Sequence, residues 1–143
     1  MGTTDDFGGS KAALFIGDKL LITLRDDFAH IPCPNMWDLP GGGREGDETP
    51  MQTLHREVRE EVGLRMDRAT FLWERPYDAV HSAGWVMFYV AQFPATAAAD
   101  IVFGDEGQAW RLVPPHNFLA MSDAIPSLQQ RLRDWMNEAK DFI

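Results

Sequence analysis

Glu57, Glu60 and Glu61 fall in a stretch that reads as a helix starting near Thr49, so their carboxylates project from one face within about one turn. Like charges so spaced repel by a few tenths of a kcal/mol each, and Arg56 and Arg59 among them offset part of that. Carboxylate oxygens held together suit a hard divalent cation. Magnesium in particular keeps some of its waters and takes substrate phosphates beside a few carboxylates. Taken alone, three glutamates more often mean a solvated, salt-bridged helix face, by about two to one.

The glutamates are not alone. In GGGREGDETPMQTLHREVREEVGL, residues 41–64, Gly42 is followed after five residues by Glu48. After seven more comes Arg56-Glu57-Val58-x-Glu60-Glu61-x-Gly63-Leu64. Seven defined residue types, each at roughly 7% background, with two apolar positions, coincide by chance about once in 10^9 windows. This segment resembles the box of the Nudix hydrolases, of the MutT-like kind, with every defined position filled over 23 residues. The resemblance implies an α/β fold, the Nudix α/β/α sandwich with a mixed β-sheet. It implies metal ligation by Glu57, Glu60, Glu61 and the backbone carbonyl of Gly41. Gly42 and Gly63 support the box, and Glu48 pairs with Arg56, whose guanidinium can fix a carboxylate through a bidentate fork. A further acidic ligand before a Trp matches Glu106 in Glu106-Gly107-Gln108-Ala109-Trp110, with Asp105 as the fallback. The cofactor implied is Mg2+, for which Mn2+ can substitute. Glu57 is the first choice of general base; Glu60 or another nearby acid is the alternative, because the base varies among members.

Such a site needs a scaffold, and the chain supplies its signals. Thr49 is a helix N-cap, Pro50 suits the first helical position, Gln52 completes a capping box, and Gly63 is placed for a left-handed helix end. Met51, Leu54, Val58 and Val62 form the stripe that should face the core. Lys11 to Ile16 and Lys19 to Leu24 flank Gly17-Asp18, a two-residue hairpin signal. Met36 to Leu39 forms a brief strand after a Pro-containing loop. Thr70 to Glu74, Trp85 to Gln92 and Trp110 to Val113 read as strands, and Ala95 to Ala99 as a mobile loop. Ala124 to Ala139 has helical spacing with Asp123 as its cap. Strands and helices in this order predict a mixed sheet with helices on both faces.

The chain has 143 residues, 45% of them hydrophobic, which suits one core. Residues 11–143 are expected to form a single domain behind a flexible, Gly-rich arm, residues 1–10. A net charge of -9 disfavours extended nucleic acid, and no apolar run reaches membrane-spanning length. The lone Cys33 excludes an internal disulfide and suits a cytoplasmic location; it reads as an inert loop thiol, and no histidine is assigned a role.

The partner implied is a small nucleotide, bound by a monomer or homodimer. Arg25 is a candidate for a phosphate contact, and Phe28, Trp37 or Trp85 for stacking on a base. The activity implied is hydrolysis of a nucleoside triphosphate, oxidised or not, to the monophosphate and pyrophosphate. ADP-ribose or a nucleotide sugar is the alternative substrate. The alternative of another class is a non-hydrolytic nucleotide-binding regulatory module, against which the intact box weighs. Where MutT-like oxidised-guanine hydrolases carry a base-reading Asn, this chain has Ser122, Asp123 and Ala124.

Overall fold

The computed structural model describes residues 6–139. Ten elements carry the fold: β1 (Phe7–Ile16), β2 (Lys19–Leu24), β3 (Trp37–Asp38), β4 (Gly41–Gly43), α1 (Pro50–Val62), β5 (Thr70–Asp78), β6 (Trp85–Phe93), β7 (Ala109–Val113), α2 (Pro115–Ala120) and α3 (Pro126–Ala139). Strand order is β3-β2-β1-β6-β5, with β4 also paired to β1 and β7 to β2. The β1–β6 pair is parallel and the other pairs are antiparallel, so the sheet is mixed, as expected.

Alternation along β1 builds two cores, because successive strand side chains point to opposite faces. Ala12, Leu14 and Ile16 join Leu54, Val58 and Val62 of α1 on one face. On the other, Ala13 and Phe15 join Phe118 of α2 and Leu128 and Leu132 of α3. The sheet is therefore the middle of three layers. Helix α1 forms as its sequence requires: Thr49 Oγ1 accepts the Gln52 N–H at 3.2 Å and Gln52 Oε1 accepts the Thr49 N–H at 2.9 Å. Gly63 ends it at φ 71°.

Several boundaries differ from expectation. The anticipated arm of residues 1–10 is corrected for residues 7–10, which are strand. Phe7 and Ser10 are buried, and this segment pairs with both β4 and β6. Gly9 is there for closeness: a Cβ would lie 2.7 Å from the Gly42 carbonyl oxygen. Residues 1–5 of that arm lie outside the described residues. Strand β5 runs on to Asp78 through Pro76, tolerated because β5 is the sheet edge. Ala95–Asp100 is a 310 helix with Ala97 buried, not a loop. Helix α3 starts at Pro126, and Asp123 instead offers its carbonyl to the Trp37 N–H at 2.7 Å.

β1 and β2 pair only beside their turn, at Phe15–Leu20 and Ile16–Lys19. Beyond it they diverge. β4 takes the N-terminal half of β1 and β3 takes the end of β2, so the chain from Trp37 to Gly43 fills the split. The box glycines enter the sheet at that point.

Candidate active site

A cleft of about 820 Å3 opens at this split. Its walls include Lys11, Arg25 and Asp38, the Gly41–Gly43 backbone, Glu57 and Glu61 of α1, and Glu106. Glu57 packs against the glycine strand so closely that a Cβ on Gly42 would lie 2.6 Å from its carboxyl carbon. A side chain at position 42 would therefore push the Glu57 carboxylate off the strand. Glu61 accepts a long bond, 3.4 Å, from the Gly41 N–H. Burial pushes its carboxyl up to about 8, with the Asp38 and Glu57 charges adding and Lys11 opposing.

Arg56 is the organiser of the helix face. Nε and Nη2 donate to the two oxygens of Glu48 at 2.8 and 3.0 Å, Nη1 donates to Glu57 at 2.8 Å, and Nη2 also reaches the Gly43 carbonyl at 2.7 Å. This fork holds the Glu48 carboxyl down at about 2 and pushes the Arg56 guanidinium up. Glu60 stands apart from the cleft wall, 59% exposed and 3.3 Å from Arg56 Nη1. Of the three box glutamates, Glu57 and Glu61 line the cleft.

Glu106 reaches the cleft because its loop is tied to the end of α1. The Val102 and Gly104 N–H groups donate to the Val62 and Glu61 carbonyls, each at 2.9 Å, and the Gly107 N–H donates to Asp26 Oδ2 at 3.0 Å. Thus the carbonyls left free at the helix end are used to fix an acidic loop.

Two expected binding residues fare differently. Arg25 lines the cleft, but as a paired group: Nη1 donates to Asp38 at 3.1 Å and Nε to the Pro32 carbonyl at 2.9 Å. Trp37 is corrected: it is 5% exposed, belongs to the α3-side core and has the Arg111 guanidinium 4.9 Å over its ring. A ring so covered cannot stack on a base. Phe28 is the exposed aromatic at the cleft, stacked on His30 at 5.7 Å, while Trp85 packs on Phe7 at 5.2 Å.

Sequence reasoning missed Lys11 and Asp38. Lys11 Nζ donates to Asp38 Oδ2, the Leu39 carbonyl and the Gly41 carbonyl at 3.0 to 3.1 Å. It bridges the split between β1 and the β3–β4 segment. The signal available was a charge at each of two strand positions: Lys11 directly before the apolar run Ala12 to Ile16, and Asp38 between Trp37 and Leu39.

Among the described residues no three His, Cys, Asp or Glu side chains converge as a finished metal cage. The chemistry of the donors nonetheless fits a hard cation. Glu57, Glu61 and the Gly41 carbonyl supply only oxygen, and the like charges around Glu61 are the kind a divalent ion would relieve. Magnesium leaves further positions to water and phosphate oxygens.

A family model described as NUDIX domain matches residues 11–137. An RNA pyrophosphohydrolase of Acinetobacter baylyi is 32% identical over 79 residues, 55% of this chain and 43% of that protein. The chain spans less than half the length of the curated relatives it matches. Among solved structures, a MutT protein from Methanosarcina mazei Go1 superposes with TM-score 0.73 at 20% identity, covering 94% of this chain and 96% of that one. A C. elegans Ap4A hydrolase in a binary complex gives 0.72 at 17% identity, with 93% and 97% covered. These structural likenesses concern the fold.

Proposed function

The chain belongs to the NUDIX domain family, and on that premise we propose that it is a magnesium-dependent hydrolase that cuts a phosphoanhydride bond of a nucleoside diphosphate-linked compound. The substrate class favoured is a nucleoside triphosphate, oxidised or not, released as the monophosphate and pyrophosphate. The observation that carries this reading is the meeting of Glu57, Glu61 and the Gly41–Gly43 backbone on the wall of a nucleotide-sized cleft. Catalysis is assigned to Glu57, Glu60, Glu61 and, through its bonds to Glu57 and Glu60, Arg56.

Glu57, Glu61, Glu106 and the Gly41 carbonyl, which line the cleft, would hold the cation, and the exposed Glu60 would join them by turning its side chain inward; when bound, the cation neutralises phosphate charge and acidifies an attacking water. The Arg56 fork keeps Glu57 against the glycine strand, and Lys11 fixes the Gly41 carbonyl. Glu57 then takes a proton from water as its oxygen bonds to phosphorus and the anhydride P–O bond breaks, the electron pair leaving with the phosphate product. Within the described residues no helix is long and apolar enough to cross a membrane.

Incubation with Mg2+ and a panel of nucleoside triphosphates, ADP-ribose, nucleotide sugars and dinucleoside polyphosphates, with products identified, tests the proposal. A 5′-triphosphorylated oligonucleotide belongs in that panel because of the Acinetobacter baylyi relative's name. The net charge of -9 makes it the poorer expected substrate. Ligand-induced thermal shifts with no phosphate product from any compound would replace the hydrolase reading with a nucleotide-binding module.

A further inference from the structure

The cleft carries a cation that the box chemistry does not use. Arg131 on α3 is 6% exposed and lines the cleft beside Ile125 and Leu128, on the face of the sheet opposite α1. Of the other Lys and Arg side chains there, Lys11 and Arg25 are both paired with Asp38. Arg131 has no such partner: its one interaction among the described residues is with the ring of Tyr77, 5.0 Å beneath the guanidinium. Tyr77 is itself pinned, donating its hydroxyl to Asp134 at 2.8 Å. Burial lowers the tendency of Arg131 to hold its proton, as expected of a charge removed from water without a counter-ion.

A ring contact offsets only part of that cost. The fork therefore lacks acceptors that a ligand in the cleft would provide. Phosphates are the wrong candidates, since their site is assigned to the glycine strand and the acidic face of α1. The wall around Arg131 is mostly apolar and uncharged, with Leu128, Ile125 and Val86 beside the hydroxyl of Ser127, and suits an uncharged ring. The planar fork of an arginine matches two adjacent acceptors, and O6 with N7 of guanine is such a pair, whereas adenine replaces O6 by an N–H donor. We propose that Arg131 reads the base, taking the O6/N7 edge of a 6-oxopurine nucleotide, so that the cleft prefers guanine to adenine. This rests on the nucleotide reading of the cleft and names the part of the substrate that the opposite wall selects.

Isothermal titration of GMP, 7-deaza-GMP and AMP into the metal-free chain tests it without any turnover. GMP is expected to bind the wild type roughly tenfold or more tightly than either of the others. Arg131→Gln, and Arg131→Lys with its charge but no fork, should lower GMP to the AMP level and leave AMP unchanged. Equal binding of GMP, 7-deaza-GMP and AMP by the wild type, or no binding of GMP, overturns the assignment and requires no variant. A variant that loses GMP and AMP alike does so too, since a packing or phosphate role would affect both. Pyrophosphate release by the wild type with Mg2+, measured in parallel, separates the two readings. Turnover without base discrimination removes only the role of Arg131, and discrimination without turnover removes only the hydrolase.

Discussion

The box glutamates differ in environment more than their spacing implies. Glu61 is half-buried beside the like charges of Asp38 and Glu57, with Lys11 opposing them, and Glu60 is largely in solvent. Glu61→Gln keeps the shape and replaces a carboxyl whose ionised form the metal-free fold disfavours, so the metal-free variant should melt at the wild-type temperature or above it while turnover is abolished. Near wild-type product release by that variant would remove Glu61 from the catalytic set. Glu48 makes a pH prediction. Its folded carboxyl sits at about 2 against an ordinary 4.5 because Arg56 binds the ionised form. The stabilisation is thus complete above pH 4.5 and is lost as pH falls through 2. Urea midpoints should decline over that window more steeply for the wild type than for Glu48→Gln; parallel curves would show the pair contributes nothing. Arg131 and Lys11 complete the residue scale, since neither belongs to a spacing pattern and both matter through what the fold brings to them.

Helix α1 was legible almost to the residue, because capping box, N1 proline, apolar stripe and terminal glycine are local signals that agree. Replacing Thr49 by Ala should cost about 1 kcal/mol, a drop of about 3 °C in Tm, with the glutamates' mutual spacing retained. A Tm unchanged within error would mean that packing of Leu54, Val58 and Val62 alone holds the helix start. Strands were located less well. β1 begins four residues earlier than the hydrophobic pattern indicates, since Gly8, Gly9 and Ser10 carry no apolar signal and are strand only because β4 and β6 flank them. β5 extends through Pro76 for a related reason: whether a strand tolerates proline depends on its being at an edge.

At the scale of the whole molecule, the cleft exists because β1 and β2 part and the β3–β4 segment fills the gap, with α1 and α3 on opposite faces. If that cleft binds Mg2+ at Glu57 and Glu61, the ion should raise Tm by mass action, about 2.7 kcal/mol at a hundredfold excess over Kd. The rise should vanish in Glu57→Gln and Glu61→Gln. An equal rise in wild type and both variants would place the ion elsewhere. The sequence by itself determined the box helix, the hairpin, the mixed sheet with helices on both faces and the family, because each follows from short-range spacing or from a motif too specific to arise by chance. Tertiary structure alone decided that Trp37 is core, that Arg25 and Lys11 share Asp38, and that Arg131 reaches the cleft from the far helix. Asp38 lies 13 positions from Arg25 and 27 from Lys11, and Arg131 lies 54 from the Tyr77 ring, where local preference carries no information and only strand register and layer packing choose the neighbour.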